Sequence, residues 1–442
     1  MRKILILLFI LSVSCEKGLE VEPKMYISAM EAFSNKGNVD AALVGCYDAL
    51  QLQHYYGRNF LMIGDLASDN SRASGTKIEY YSTDDNNLLS DNILVEGIWS
   101  DIYNAINRVN YVLSQINGLD YLTDDEKEDI TGQLRFLRGL HYFNLVRLYG
   151  GVPLKLLPTD DVLADNFLPR STTDQVYDQI VADLDYSILN LKNILPERAT
   201  VIAAKACLSL VNLSLGNYIE ALSYSKEVFD SINFLEEKYS ELFDHQGEPS
   251  REIIFYVPFS PNDKNRLAEY LLPNQLGGRY ENSPTPKLVS LIEENDTRRD
   301  LIAASYKDKF YTTKYSDLSS GSDRVIVFRT AELLFTMAEA AYRIDSLAML
   351  PDILSNLNRV RKRAGISSLS ELTVGSIWNS IEKEKQIEFA FEGKRWFDLI
   401  RTHTAIGTVP TVTSAYQELW PLPLSEMLAN PSIGIQNQNE GY

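Results

Sequence analysis

Cysteine is scarce in this chain of 442 residues, with only Cys15, Cys46 and Cys207. That is too few for a disulfide framework, and Cys46 and Cys207 lie in apolar helical contexts that suit buried free thiols. Histidine is equally thin. His54, His141, His245 and His403 stand far apart, and no two are one helical turn apart as a metal site would require. His141 falls on the stripe Leu134, Leu137, His141, Leu145, Leu148, the place of a structural histidine. No glycine-rich loop joins a strand to a helix, since Gly150-Gly151 and Gly277-Gly278 read as turns. There is no G-x-S-x-G elbow either, so nucleotide binding and serine hydrolysis have no support. No metal, cofactor or catalytic residue is expected. Positive charge is in deficit, 42 basic against 60 acidic residues and a net −18, which would repel nucleic acid. Beyond the first residues no run approaches eighteen apolar positions, so no membrane-spanning helix is expected.

What is present begins with a processing signal. Arg2 and Lys3 precede the apolar run Ile4 to Leu11, and Ser12-Val13-Ser14 leads to Cys15. This order reads as a lipoprotein signal peptide over residues 1–14, with Cys15 as the lipidation site. Acyl chains there would tether a soluble body, each buried methylene adding roughly 0.8 kcal/mol of membrane affinity. Loss of the leader leaves residues 15–442, 428 in number, with 40 basic against 60 acidic side chains. They read as one domain with a substantial core.

Helical periodicity dominates. Ile98, Ile102, Ala105, Val109 and Leu113 mark one buried face between about Asp91 and Asn117. Asp124 and Asp125 open the next helix, which Gly150, Gly151 and Pro153 close. Further helices are predicted over Thr173–Leu191, Ala199–Ser214, Tyr218–Ser231, Phe328–Ile344, Leu350–Ala364 and Ser376–Arg401. Ile253–Val257 and Val325–Phe328 are the strand candidates. Leu215-Gly216-Asn217-Tyr218 with Glu220-Ala221-Leu222 resembles a tetratricopeptide turn, though no clean repeat recurs. The predicted fold is mainly α: a tetratricopeptide-like solenoid of helical pairs, with long loop-rich insertions and little β. Two polar stretches, Gly64 to about Asp91 and Pro258 to Pro286, interrupt it and are where a site would sit.

Carboxylates could still support a glycosidase, which needs two. Glu384, Glu388 and Glu392 recur every four residues, and Glu332 and Glu339 have Arg329 and Arg343 placed for pairing at three and four residues. Interleaved Phe389, Ala390 and Phe391, followed by Arg395 and Arg401, favour structural ion pairs over an acid/base dyad.

These helices also carry a family resemblance. RFLRGLHYFNLVRLYGGVPL (135–154), FRTAELLFTMAEAAYR (328–343), LNRVRKRAGI (357–366), EKEKQIEFAFEGKRWFDLIR (382–401) and PLPLSEMLANPSIGIQNQNEGY (421–442) resemble, in order, the motifs of the SusD/RagB family of outer-membrane nutrient-binding lipoproteins. Gly139 and Lys385 depart from the family's usual alanine and arginine. The resemblance implies a tetratricopeptide-like core and a loop-rich ligand part. It implies a surface-exposed, lipid-anchored place at the cell outer membrane, beside a SusC-like TonB-dependent barrel transporter that receives a glycan. In the RagB branch the ligand is a peptide, and the quoted motifs are scaffold.

Sugar faces pack on aromatic rings, while hydroxyls need planar polar partners. The first insertion offers Asp69, Asn70, Arg72, Tyr80 and Tyr81, and the second offers Asn274, Arg279 and Tyr280. Tyr80, Tyr81 and Tyr280 are expected to stack on sugar rings, with Arg72 and Asn70 bonding hydroxyls. The competing expectation is that these tyrosines pin loops to the helical body. His54-Tyr55-Tyr56 is a reserve candidate, and Trp99, Trp396 and Trp420 are expected in the core.

Overall fold

The structure, a computed structural model, describes residues 32–159, 167–245 and 247–442. The predicted signal peptide and Cys15 lie outside the described residues. Helices of seven residues or more are α1 (Lys36–Asp48), α2 (Asn59–Leu66), α3 (Ile78–Asp84), α4 (Ile93–Ile116), α5 (Asp124–Tyr149), α6 (Thr173–Asn190), α7 (Val201–Leu215), α8 (Tyr218–Ile232), α9 (Thr330–Asp345), α10 (Leu350–Arg363), α11 (Val374–Glu388) and α12 (Arg395–Arg401).

Local chemistry fixes their ends. Thr123 and Glu126 form a capping box at the start of α5, and Thr172 and Gln175 do the same for α6. The α5 helix stops at Gly150, whose φ is +72°. Gly216, left-handed at φ +77°, joins α7 to α8, and Tyr218 packs beside Leu213, Ala221 and Ala340. The tetratricopeptide-like joint is therefore real.

The long helices stack in chain order, α4 on α5, then α6, α7 and α8. α9 packs next on α8, although residues 233–329 intervene, and α10 follows. The helical-pair solenoid is thus continuous in space and interrupted only in sequence. Its apolar core is contiguous from Phe33 to Ile433 and contains Trp99, Trp396 and Trp420. Cys46 and Cys207 are buried and unpaired.

Two expectations fail. The predicted helix over Ser376–Arg401 is two helices, because Phe391 and Gly393 both take positive φ, 64° and 71°, between α11 and α12. Glu392 therefore sits in a turn and not on the face of Glu384 and Glu388. Nor do the expected neighbour pairs form: Glu332 pairs with Lys394, Glu339 with Arg401, and Arg343 lies over the Trp378 ring.

The interrupting segments, residues 49–92 and 233–329, meet each other. β1 (Ser71–Ala73) pairs antiparallel with β3 (Asn282–Pro284), Arg72 opposite Ser283. β2 (Ile253–Val257) pairs antiparallel with β6 (Val325–Arg329), as the two strand candidates allow. A hairpin of β4 (Ala304–Tyr306) and β5 (Lys309–Tyr311) completes the ribbons. Gly64 shows how closely the first segment is docked: a Cβ there would lie 2.3 Å from the Gly393 carbonyl oxygen.

Candidate ligand-binding site

The carboxylates Glu384, Glu388 and Glu392 are engaged in buried ion pairs. Arg329 is fully buried and donates from Nη1 to Glu252 Oε1 at 2.9 Å and from Nη2 to Glu392 Oε1 at 2.9 Å; it also pairs with Glu388. Arg298 joins Asp296, Glu384 and Glu388, and Arg363 joins Glu252 and Glu388. Lys314 donates to Glu392 Oε1 at 2.7 Å. Burial alone would raise the Glu388 carboxyl, but Arg363, Arg329 and Arg298 hold it below the usual carboxylate range. A general acid needs the opposite shift and a path to its proton. His141 is equally interior. Its Nδ1 lies 3.0 Å from the Tyr55 hydroxyl, and burial pulls the imidazole down to about 3. Tyr55 and Tyr56 of the reserve candidate are buried too, and both hydroxyls accept from Asn144 Nδ2.

The eight predicted ligand residues divide sharply. Asp69 is buried, with its carboxylate accepting from Arg395 Nε and Lys287 Nζ, each at 2.9 Å. Burial works against ionisation there, yet these cations keep the carboxyl below its ordinary value. Asn70 is buried and donates to Asp65 Oδ1 at 2.8 Å. The Tyr80 ring is 1% exposed, and its hydroxyl donates to Asn59 Oδ1 at 2.8 Å, so it has no face to offer a sugar. Asn70 and Tyr80 thus present no accessible surface to a ligand, because both side chains are buried in the interior. Tyr81 is exposed and donates to the Gly75 carbonyl. Asn274 is exposed in a short 3-10 turn, and Arg279 pairs with Glu269.

Arg72 and Tyr280 are brought together. They share a cleft of about 290 Å3 with Pro284, Pro286, Arg299, Asp308 and Phe310. Arg72 comes from β1 and Phe310 from the β4–β5 hairpin. Tyr280 takes a left-handed φ of 55° and donates from its hydroxyl to the Phe310 carbonyl at 2.9 Å. Lys309 Nζ stands 4.6 Å from the Tyr280 ring centroid. Tyr81, Asn274 and Arg279 do not line this cleft. Asp308, Phe310 and Arg299 were missed from sequence. The alternation in Ser305-Tyr306-Lys307-Asp308-Lys309-Phe310 was the available signal, with Lys307 left-handed at φ 57° in the turn.

A larger groove of about 640 Å3 runs between residues 191–202 and 231–254. It is lined by Leu191, Ile194, Val201 and Ile232 among others and contains no aromatic ring.

Comparison with known proteins agrees with this architecture at both ends of the chain. A family described as starch-binding and associating with the outer membrane matches residues 19–213, and the SusD family matches residues 302–442. The chain belongs to the SusD/RagB family. Two SusD-like proteins of Formosa agariphila, P25 and P2, are 24% and 26% identical, over 97% and 99% of this chain and 97% and 98% of theirs. A SusD superfamily protein from Bacteroides vulgatus superposes with a TM-score of 0.83 at 21% identity, covering 93% of this chain and 100% of that one. A laminarin-binding SusD-like protein superposes with a TM-score of 0.80 at 23% identity, over 92% of this chain and 100% of its own. A surface glycan-binding protein A from Bacteroides uniformis gives 0.79 at 22%, over 92% and 99%. In this SusD-like chain the stretches 135–154, 328–343, 357–366 and 382–401 all contribute side chains to buried ion pairs, whereas the cleft is built from segments outside them. Among the described residues no helix is long and apolar enough to cross a membrane.

Proposed function

We propose that this protein captures an oligo- or polysaccharide at the outer-membrane surface, anchored there by lipid on Cys15, and passes it to a SusC-like TonB-dependent barrel transporter. It performs no chemistry itself. One observation carries the reading: the two insertions meet in a cleft that sets the exposed Phe310 ring and Tyr280 beside Arg72, Arg299 and Asp308. Apolar walls with a few fixed polar groups are what a small-ligand site requires. The glycan-binding relatives support it, as does the confinement of Glu384, Glu388 and Glu392 to ion pairs. In this reading Arg72, Tyr280 and Phe310 touch ligand, while Asp69, Asn70 and Tyr80 hold the loop that presents Arg72.

A RagB-like peptide binder is the alternative. The groove beside Ile253 and Ile254 would suit it, since aliphatic side chains alternate there with Lys192, Asn193, Glu248 and Arg251, and no aromatic ring lines that surface. Native affinity electrophoresis against a polysaccharide panel separates the two. Retardation by a glycan that Phe310→Ala abolishes supports capture in the cleft. Retardation unchanged in Phe310→Ala and Arg72→Gln moves the site elsewhere, and no retardation by any glycan returns the peptide reading. Anchoring is tested apart, because Cys15→Ala should release the protein from membranes.

A further inference from the structure

The cleft has the wrong charge for the body that carries it. The chain is −18 overall, yet the charged residues lining the cleft are Arg72, Arg299 and a single carboxylate, Asp308. Lys309, over the Tyr280 ring, adds a further cation at its edge.

Around the cleft, pairing is the rule. Arg266 and Arg279 both bind Glu269, Lys287 binds Asp69, and Lys77 lies near Glu79. Among the described residues, Arg72, Arg299 and Lys309 have no carboxylate oxygen within 4.0 Å. Arg72 feels Asp84 only at longer range, and that carboxylate already accepts the Ala73 N–H at 2.9 Å. Arg299 is half-buried, and its Nη1 donates to the carbonyls of Val289 and Ile292 at 3.3 and 3.2 Å. Those bonds fix the guanidinium and leave its remaining donors directed to no carboxylate. A cation held in place without a counterion has already lost the entropy that binding an anion would otherwise cost.

The hydrogen-bond inventory points the same way. A neutral sugar presents hydroxyls that act as both donors and acceptors, and it is matched by side chains offering both. This cleft is lined by two donor-only guanidiniums, one carboxylate and two hydroxyls, on Tyr280 and Ser290, that already donate to the carbonyls of Phe310 and Lys287, with no Asn or Gln. It suits a ligand rich in acceptors and carrying negative charge, while Pro284, Pro286 and Phe310 supply the apolar wall for a ring face. Guanidinium matches carboxylate and sulfate alike through paired N–H groups.

We infer that the ligand is an anionic glycan whose carboxylate or sulfate groups are bound by Arg72, Arg299 and Lys309 while a sugar face rests on Phe310. The inference rests on the glycan-capture reading and narrows it to a substrate class.

Isothermal titration of the detergent-solubilised full chain tests it with four probes: oligogalacturonate, a sulfated oligosaccharide, an uncharged glucan oligosaccharide and oligoglutamate. One of the two anionic glycans should bind, and which one does distinguishes carboxylate from sulfate. Its methyl-esterified or desulfated form should bind at least about ten-fold more weakly. Arg72→Gln, an exposed position, should lose a similar factor with an unchanged melting temperature, and Arg72→Gln/Lys309→Met should lose more. Arg299→Lys keeps the charge and should retain part of the affinity. Equal binding of the uncharged glucan, or full affinity in Arg72→Gln, overturns the anionic class and leaves glycan capture standing. Binding of oligoglutamate alone, or of none of the four, overturns both.

Discussion

The hydroxyl of Tyr280 donates to the carbonyl oxygen of Phe310 at 2.9 Å, tying the second insertion's proline-rich stretch to the hairpin that carries the exposed ring. Tyr280 therefore works as a strut of the cleft as much as a wall of it. Tyr280→Phe should cost about 1 kcal/mol of local order and weaken ligand binding several-fold, with little change in melting temperature. Titration against the bound glycan, with melting curves alongside, checks this; unchanged affinity would remove Tyr280 from the site.

Tyr80 should behave in the reverse manner. Its hydroxyl serves Asn59 in the interior, and its ring stands edge-on to Tyr270 with centroids 6.1 Å apart. Tyr80→Phe should lower stability by roughly 1–2 kcal/mol and leave affinity intact in the folded protein. Urea denaturation with parallel binding curves separates the two effects. Tyr81→Ala, at an exposed position, should change stability little.

The buried charge network should be intolerant of single deletions. Arg329 is shared by Glu252, Glu388 and Glu392. Arg329→Met would strand these carboxylates in the interior at a cost of about 3–5 kcal/mol, read as a drop in the denaturation midpoint. Glu388→Gln retains shape and part of the hydrogen bonding. A folded Glu388→Gln sample should bind ligand as the parent does.

Acid should unfold the protein through the same network. Burial opposes ionisation of Asp398, but Lys385 and Arg401 hold it at about 2, and Glu388, Glu392 and Glu339 are likewise lowered. Groups with depressed folded pKa values contribute stability above their unfolded values and lose it as pH falls through the folded ones. Asp65 has the opposite sign. Burial raises it to about 6, so its contribution is present below the unfolded value and is lost as pH rises through about 6. Urea midpoints should therefore hold or rise slightly from pH 7 to about 5 and fall steeply below about 4.5, the ordinary glutamate range. A flat profile to pH 3 would contradict the account.

The helices and the ion-paired character of the carboxylates were legible in the sequence because both depend on short-range pattern. Capping residues, glycine stops and apolar spacing fix α4 to α8, and Phe389 and Phe391 around Glu388 mark a buried surface. The break between α11 and α12 was not legible, since a left-handed Phe391 is imposed by packing: Asp65 accepts the N–H groups of Phe391 and Gly393, both at 3.0 Å. The partners of Arg329 escaped for a similar reason. Neighbour spacing suggested Glu332, while the fold supplied carboxylates from residues 252, 388 and 392. The two insertions were visible as places for a site. Which of their side chains face inward was not, because that depends on the β1–β3 register that turns Arg72 into the cleft while Asn70 lies inside.

Hydrogen–deuterium exchange, compared with and without a bound oligosaccharide, probes most directly the division between inert helices and a binding cleft. Protection should gather at residues 71–73, 280–290 and 299–311. The helices holding Glu384, Glu388 and Arg401 should exchange at the same rates in both states. Protection centred on those helices, or on the groove at residues 191–202, would contradict the account.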